Sequence, residues 1–107
     1  MSQATAQNTL DLLILKTLAR GPNHGFGITV HIQGASDGLL RIEEGSLYPA
    51  LHRLEREKAV SSEWKVSGNG RRARYYTLTP AGAKRLEEHH SQWLSLSAGV
   101  ARVLEVP

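Results

Sequence analysis

Lys65, Arg71, Arg72 and Arg74 fall within residues 64–76, with no acidic residue among them. Guanidinium groups form a planar fork that pairs two-pronged with phosphate oxygens, whatever the base sequence. The arginines surround the glycine-rich stretch GNGRR, 68–72. A solvated loop usually mixes charge signs to relieve self-repulsion, so an all-basic glycine tip points to a polyanion. A second group of chemistry-bearing residues lies in EGSLYPALHRLER, 44–56. Tyr48, His52, Arg53 and Arg56 are all able to hydrogen-bond to base edges or phosphates.

Catalysis and metal binding find little support. His89 and His90 are adjacent, so on a helix they point roughly 100° apart and chelate poorly. The chain has no cysteine, which removes disulfides, a thiol nucleophile and thiolate zinc ligands. Ser46 and His52 do not make a nucleophile–base pair, because no glycine-flanked nucleophile turn surrounds the serine. The expectation is a protein that is not an enzyme, with no cofactor and no metal site. Trp93 has two open readings: packing in a core or interface, or an aromatic wall of a small-molecule pocket between subunits.

These residues need elements to hold them. Pro49 lacks an N–H and is tolerated in a first helical turn, so Ser46 is expected as an N-cap, with a helix running from there to about Lys58. Leu47, Ala50, Leu51 and Leu54 form its buried stripe, which leaves Tyr48, His52, Arg53 and Arg56 towards solvent. Upstream, TLDLLILKTLAR, 9–20, predicts a helix with Leu10, Leu13, Ile14, Thr17 and Leu18 on one face. Leu12 and Leu15 fall off that stripe, more apolar perimeter than one core requires. A second helix is expected over 24–36, with Phe26, Ile28, Val30 and Ile32 as its apolar positions. Alternation in SSEWKVS, 61–67, and ARYYTLT, 73–79, predicts two strands joined by the arginine-bearing tip. Thr79 followed by Pro80 signals a last helix, which carries Leu86, His90, Trp93, Val100 and Leu104 close to one face.

Three helices and then a hairpin is the order of a winged helix-turn-helix, in which the third helix enters the major groove and the hairpin lies along the backbone. The fold expected is mainly α with a small β-hairpin, in a chain of 107 residues with net charge +3. Residues 1–8 are expected to be disordered, 9–79 to form the winged-helix domain and 80–107 a dimerisation helix. No apolar run approaches membrane-spanning length, so a soluble, cytoplasmic location is expected.

The stretches LDLLILKTLARGPNHGFGI, GSLYPALHRLE and RRARYYTLTPAG resemble the PadR transcriptional regulators, over roughly residues 9–105. The resemblance is closest to the short type with a single C-terminal helix, described from acidobacteria. It implies a homodimeric winged-helix repressor whose first and last helices build the dimer. It also implies DNA contacts from the helix at 46–57 and from the wing, and in some members a response to phenolic or drug-like effectors. Where such proteins commonly have glycine past the recognition helix, this chain has Lys58. That helix is therefore expected to run on, or to hold Lys58 in a left-handed cap at a cost of about 1 kcal/mol.

The candidate DNA-binding set is Ser46, Tyr48, Pro49, His52, Arg53, Arg56, Lys65, Arg71, Arg72 and Arg74. The candidate dimer interface is Leu12, Leu15, Trp93, Val100 and Leu104, with Trp93 also the candidate effector contact. Double-stranded DNA and a second copy of the chain are the expected partners. Two rival readings stay open: a winged-helix module for protein–protein contact, and a small-molecule-binding protein without a DNA target.

Overall fold

A computed structural model describes residues 3–66 and 68–107, with side chains from residue 8 onward. The order is α1 (Gln3–Leu18), β1 (Asn23–His24), α2 (Gly25–Ala35), α3 (Glu44–Arg56), β2 (Val60–Val66), β3 (Arg72–Leu78) and α4 (Pro80–Glu105). The three strands form one antiparallel sheet in the order β1-β3-β2. This is a winged helix-turn-helix followed by one long helix, as the sequence predicts. Helix α1 reaches back to Gln3, through most of the segment for which disorder is expected, and residues 1 and 2 lie outside the described ones. No described helix is long and apolar enough to cross a membrane.

The core sits where α1, α2, α3 and the sheet base meet. Ile14, Leu15 and Leu18 of α1 pack with Ile28 and Ile32 of α2, Leu47, Leu51 and Leu54 of α3, and Val60 and Tyr76 of the sheet. Leu15 is thus a core residue and is withdrawn from any interface; the inward stripe of α1 runs Asp11, Ile14, Leu15, Leu18, at the i, i+3, i+4, i+7 spacing of one helix face. In α2 the same geometry selects Ile28 and Ile32, four apart, and turns Phe26 and Val30 to solvent.

Helix α3 does not start where its proline suggests. Its N-cap is Glu43, which makes no side-chain cap bond, and the Ser46 and Leu47 N–H groups both donate to the Glu43 carbonyl. Ser46 therefore lies inside the first turn, and Pro49 lies one turn deeper than a first-turn proline. The proline removes a single bond, to the carbonyl of the exposed Gly45. The end of α3 is sharply defined. Ala59 N–H donates to Leu54 O at 2.9 Å and Lys58 N–H to Glu55 O at 3.0 Å, the paired bonds of a Schellman stop. Lys58 adopts φ of 63°, so the helix stops and the lysine takes the left-handed position that favours glycine. Lys58→Gly is expected to raise stability by about 1 kcal/mol. The readout is a higher urea midpoint at unchanged m-value, and an unchanged midpoint would remove the strain argument.

The hairpin register pairs Val60 with Leu78, Ser62 with Tyr76, Trp64 with Arg74 and Val66 with Arg72. One face of the hairpin therefore begins in the core at Val60 and Tyr76 and continues beyond it through Trp64, Arg74, Val66 and Arg72. The hairpin outruns the helices, which is why Trp64 and Val66 alternate correctly for burial yet are exposed. Thr79 caps α4 by accepting from Gly82 N–H at 3.0 Å, with Pro80 in the first turn. The 26 residues of α4 extend well past the core, and Trp93, Leu94, Val100, Val103 and Leu104 are left exposed along it.

Candidate nucleic-acid interface

On α3, Tyr48, Pro49, His52 and Arg56 are exposed and share a side at helical spacing, opposite the buried Leu47, Ala50, Leu51 and Leu54. Tyr48 is held against the start of α2. A Cβ added at Gly25 would come within 2.6 Å of the Tyr48 hydroxyl and 2.9 Å of its ring, so only glycine leaves room for this side chain. The ring lies against Gly25 while 38% of the residue stays open to solvent. The hydroxyl end of the side chain is the part that lies against Gly25, and the exposed remainder adds ring surface to this side of α3.

Arg53 is positioned differently from its expected place on the groove face. Its Nη2 and Nη1 donate to the two carboxylate oxygens of Asp11 at 2.6 and 3.0 Å. The Asp11 side chain is only 3% exposed. The hydrogen bond to Asp11 raises the Arg53 pKa further, against the opposing effect of burial. Arg53 thus ties α3 to α1 inside the domain, and Glu57, reached by both Arg53 and Arg85, extends the tie to α4. The signal for this was Asp11 itself, a charge in the middle of the apolar run LDLLIL. A buried acid demands a cationic partner, though its position on α3 is not readable from α1.

The wing separates its basic residues. Arg71 and Arg72 are exposed at the tip, and the Arg71 N–H donates to Asn69 Oδ1. Arg74 is half-buried: its Nε donates to Ser62 Oγ at 2.8 Å, and its Nη2 lies 3.5 Å from Glu55 of α3. Ser62 in turn donates to the same Glu55 oxygen, so this chain fastens the hairpin to α3. Burial raises the Tyr76 phenol pKa, and the neighbouring Arg74 opposes it. Lys65 lies on the opposite face of the hairpin, 3.3 Å from Glu63 and 5.7 Å from the Tyr75 ring centroid. It does not join the arginines.

Trp93 and Leu12 line one cleft of about 180 Å³ between α1 and α4, together with Asn8, Thr9, His89, Gln92 and Leu96. Within it the His89 Nδ1 is buried without a hydrogen-bond partner among the described residues. Val100 and Leu104 lie further along α4, on a separate open apolar face with Leu96 and Val103. Among the described residues, no three His, Asp or Glu side chains gather as a metal site requires.

Residues 14–88 match the family model described as the transcriptional regulator PadR-like family. A transcriptional regulator of Mycobacterium tuberculosis is 42% identical over 77 residues, covering 72% of this chain and 68% of that protein. Among solved structures, a transcriptional regulator from Clostridium thermocellum superposes with a TM-score of 0.81 at 28% identity, covering 99% of both chains. A PadR family transcriptional regulator from Eggerthella lenta superposes with a TM-score of 0.76 at 34% identity, covering 92% of this chain and 84% of that one.

Proposed function

Since the chain belongs to the PadR-like family of transcriptional regulators, we propose that it is a cytoplasmic DNA-binding repressor acting as a homodimer on a two-fold operator. The observation that carries the reading is the continuity of α3 with the wing. The Glu55–Ser62–Arg74 chain fastens the exposed Tyr48, His52 and Arg56 beside a tip bearing Arg71 and Arg72. Tyr48, His52 and Arg56 read the major groove, with Ser46 and Pro49 at its edge, while the tip arginines pair with phosphate. Arg53 serves this surface indirectly, by holding α3 against α1.

The apolar stretch of α4 supports the dimer. Val100, Val103 and Leu104 in water make a patch that soluble monomers rarely keep, and pairing α4 with its symmetry mate removes it. The two recognition helices of such a dimer meet half-sites about 10 base pairs apart. On this reading a planar aromatic effector would bind at the cleft beside Trp93.

Sedimentation equilibrium and a salt titration of duplex binding test the proposal together. The native chain is expected to sediment as a dimer and Val100→Asp as a monomer. Duplex affinity is expected to fall linearly in log–log form with salt, losing about 0.9 of slope for each phosphate contact removed. A folded native monomer at micromolar concentration would defeat the dimer. Absence of duplex binding, with salt-independent capture of a protein, would favour an interaction module instead.

A further inference from the structure

The part of the hairpin that outruns the helices carries a large aromatic side chain among its arginines. Trp64 is 55% exposed, an indole left largely in water on a hairpin that gains no core from it. Two guanidinium groups lie over its ring: Arg72 Cζ is 5.3 Å from the centroid and Arg74 Cζ 5.7 Å. The register accounts for this, because Arg74 stands directly opposite Trp64 and Arg72 diagonally across from it, all on one face. The two arginines differ in what else holds them. Arg74 is fixed by Ser62 and Glu55 as well. Arg72 has no ion-pair partner among the described residues, and its guanidinium lies over the indole.

We propose that Trp64 is a positioning residue for DNA binding: its ring holds the Arg72 guanidinium ready for a phosphate before the duplex arrives. A long arginine side chain loses rotamer freedom when it is fixed on a ligand, and stacking on an aromatic face removes part of that loss beforehand. A guanidinium held over a ring face can still turn N–H donors to a two-pronged phosphate contact. The opposite face of the hairpin shows the contrast. There Lys65 also lies over a ring, that of Tyr75, but Glu63 at 3.3 Å offsets its charge. Arg74 likewise has its charge balanced by Glu55. The uncompensated, pre-ordered cation on the wing strands is Arg72.

This inference rests on the proposed DNA-binding role of the wing, and the experiment separates the two. Binding of a short random-sequence duplex is measured across a salt series for the native chain, Trp64→Leu, Trp64→Phe, Arg72→Ala and the Trp64→Leu/Arg72→Ala double variant. The substituted positions are exposed, and thermal melts establish that each variant is folded. Trp64→Leu keeps apolar bulk without a π face, and should weaken binding about three- to ten-fold at every salt concentration while leaving the slope native. Trp64→Phe should stay within about two-fold of native. Arg72→Ala should reduce the slope by about 0.9, and adding Trp64→Leu to it should cost little more, since the tryptophan acts through the arginine. Native affinity in Trp64→Leu, or an undiminished loss from it in the Arg72→Ala background, would overturn the positioning role. An unchanged slope in Arg72→Ala would instead overturn the phosphate contact itself, and the positioning role with it.

Discussion

Arg53→Ala is expected to lower the stability of the fold by about 3 kcal/mol, because it leaves the buried Asp11 carboxylate without its cation. The pair joins α1 to α3 through two charge-assisted bonds, at 2.6 and 3.0 Å. The other ion pair of Arg53 decides little. Glu57 is 3.7 Å away with its side chain 41% exposed, so Glu57→Ala should cost under about 1 kcal/mol on this account. Arg53→Lys should recover only part of the loss, since an ammonium cannot reproduce the planar fork. Replacing both partners with apolar residues of similar volume, Asp11→Leu with Arg53→Met, should recover most of it, because no charge is then stranded. Urea unfolding of the four variants makes the comparison. An Arg53→Ala midpoint equal to the native one would return Arg53 to the proposed groove-reading set, where its loss would act on DNA binding alone.

Gly82→Ala should destabilise the chain by about 2 kcal/mol, although helix propensity taken alone favours alanine by about 1 kcal/mol. A Cβ at this position would overlap the Ala59 carbonyl oxygen and approach Leu78 Cδ1 to 2.8 Å. The obstruction is backbone and cannot rotate away, so the overlap outweighs the propensity. The site is also where three segments are stitched together. Gly82 N–H donates to Thr79 Oγ1, and the threonine hydroxyl lies 2.7 and 2.9 Å from the Lys58 and Ala59 carbonyl oxygens. Displacing the first turn of α4 strains this joint and moves the base of the helix that carries the apolar face. A lower thermal midpoint accompanied by weaker self-association is the expected result. A midpoint at or above native would mean that α4 seats without this close approach.

Elements whose signals are local were legible. Thr79 and Pro80 announce α4 because a cap joins a side chain to a backbone N–H only three residues on. The hairpin came within one residue of its strands because alternation is a property of the strand itself. Ser46 and Pro49 carry similar signals, yet α3 begins at Glu44. A proline in the second turn costs one bond, and the burial of Leu47, Ala50, Leu51 and Leu54 fixes the helix regardless. The two-residue strand β1 was not legible, since it exists only through its pairing with Tyr75 and Tyr76.

The sequence by itself determined the order of the four helices and the hairpin, the capping of α4, the apolar stripe of α3 and an arginine-bearing hairpin tip, all set by chemistry within one turn or one strand. Only the tertiary structure decided which polar side chains are spent on the fold and which remain for a partner. Arg53 and Arg56 are indistinguishable in a helical pattern, but Asp11, 42 positions away in sequence, takes Arg53 for the interior and leaves Arg56 exposed. Arg72 and Arg74 are likewise alike in sequence until Glu55 engages one and leaves the other to Trp64. Leu12 and Leu15 part in the same way, one lining a cleft and the other filling the core. The reason is common to all three pairs: burial and charge pairing depend on which segments meet in space, and the chain pattern specifies only the face on which a side chain stands.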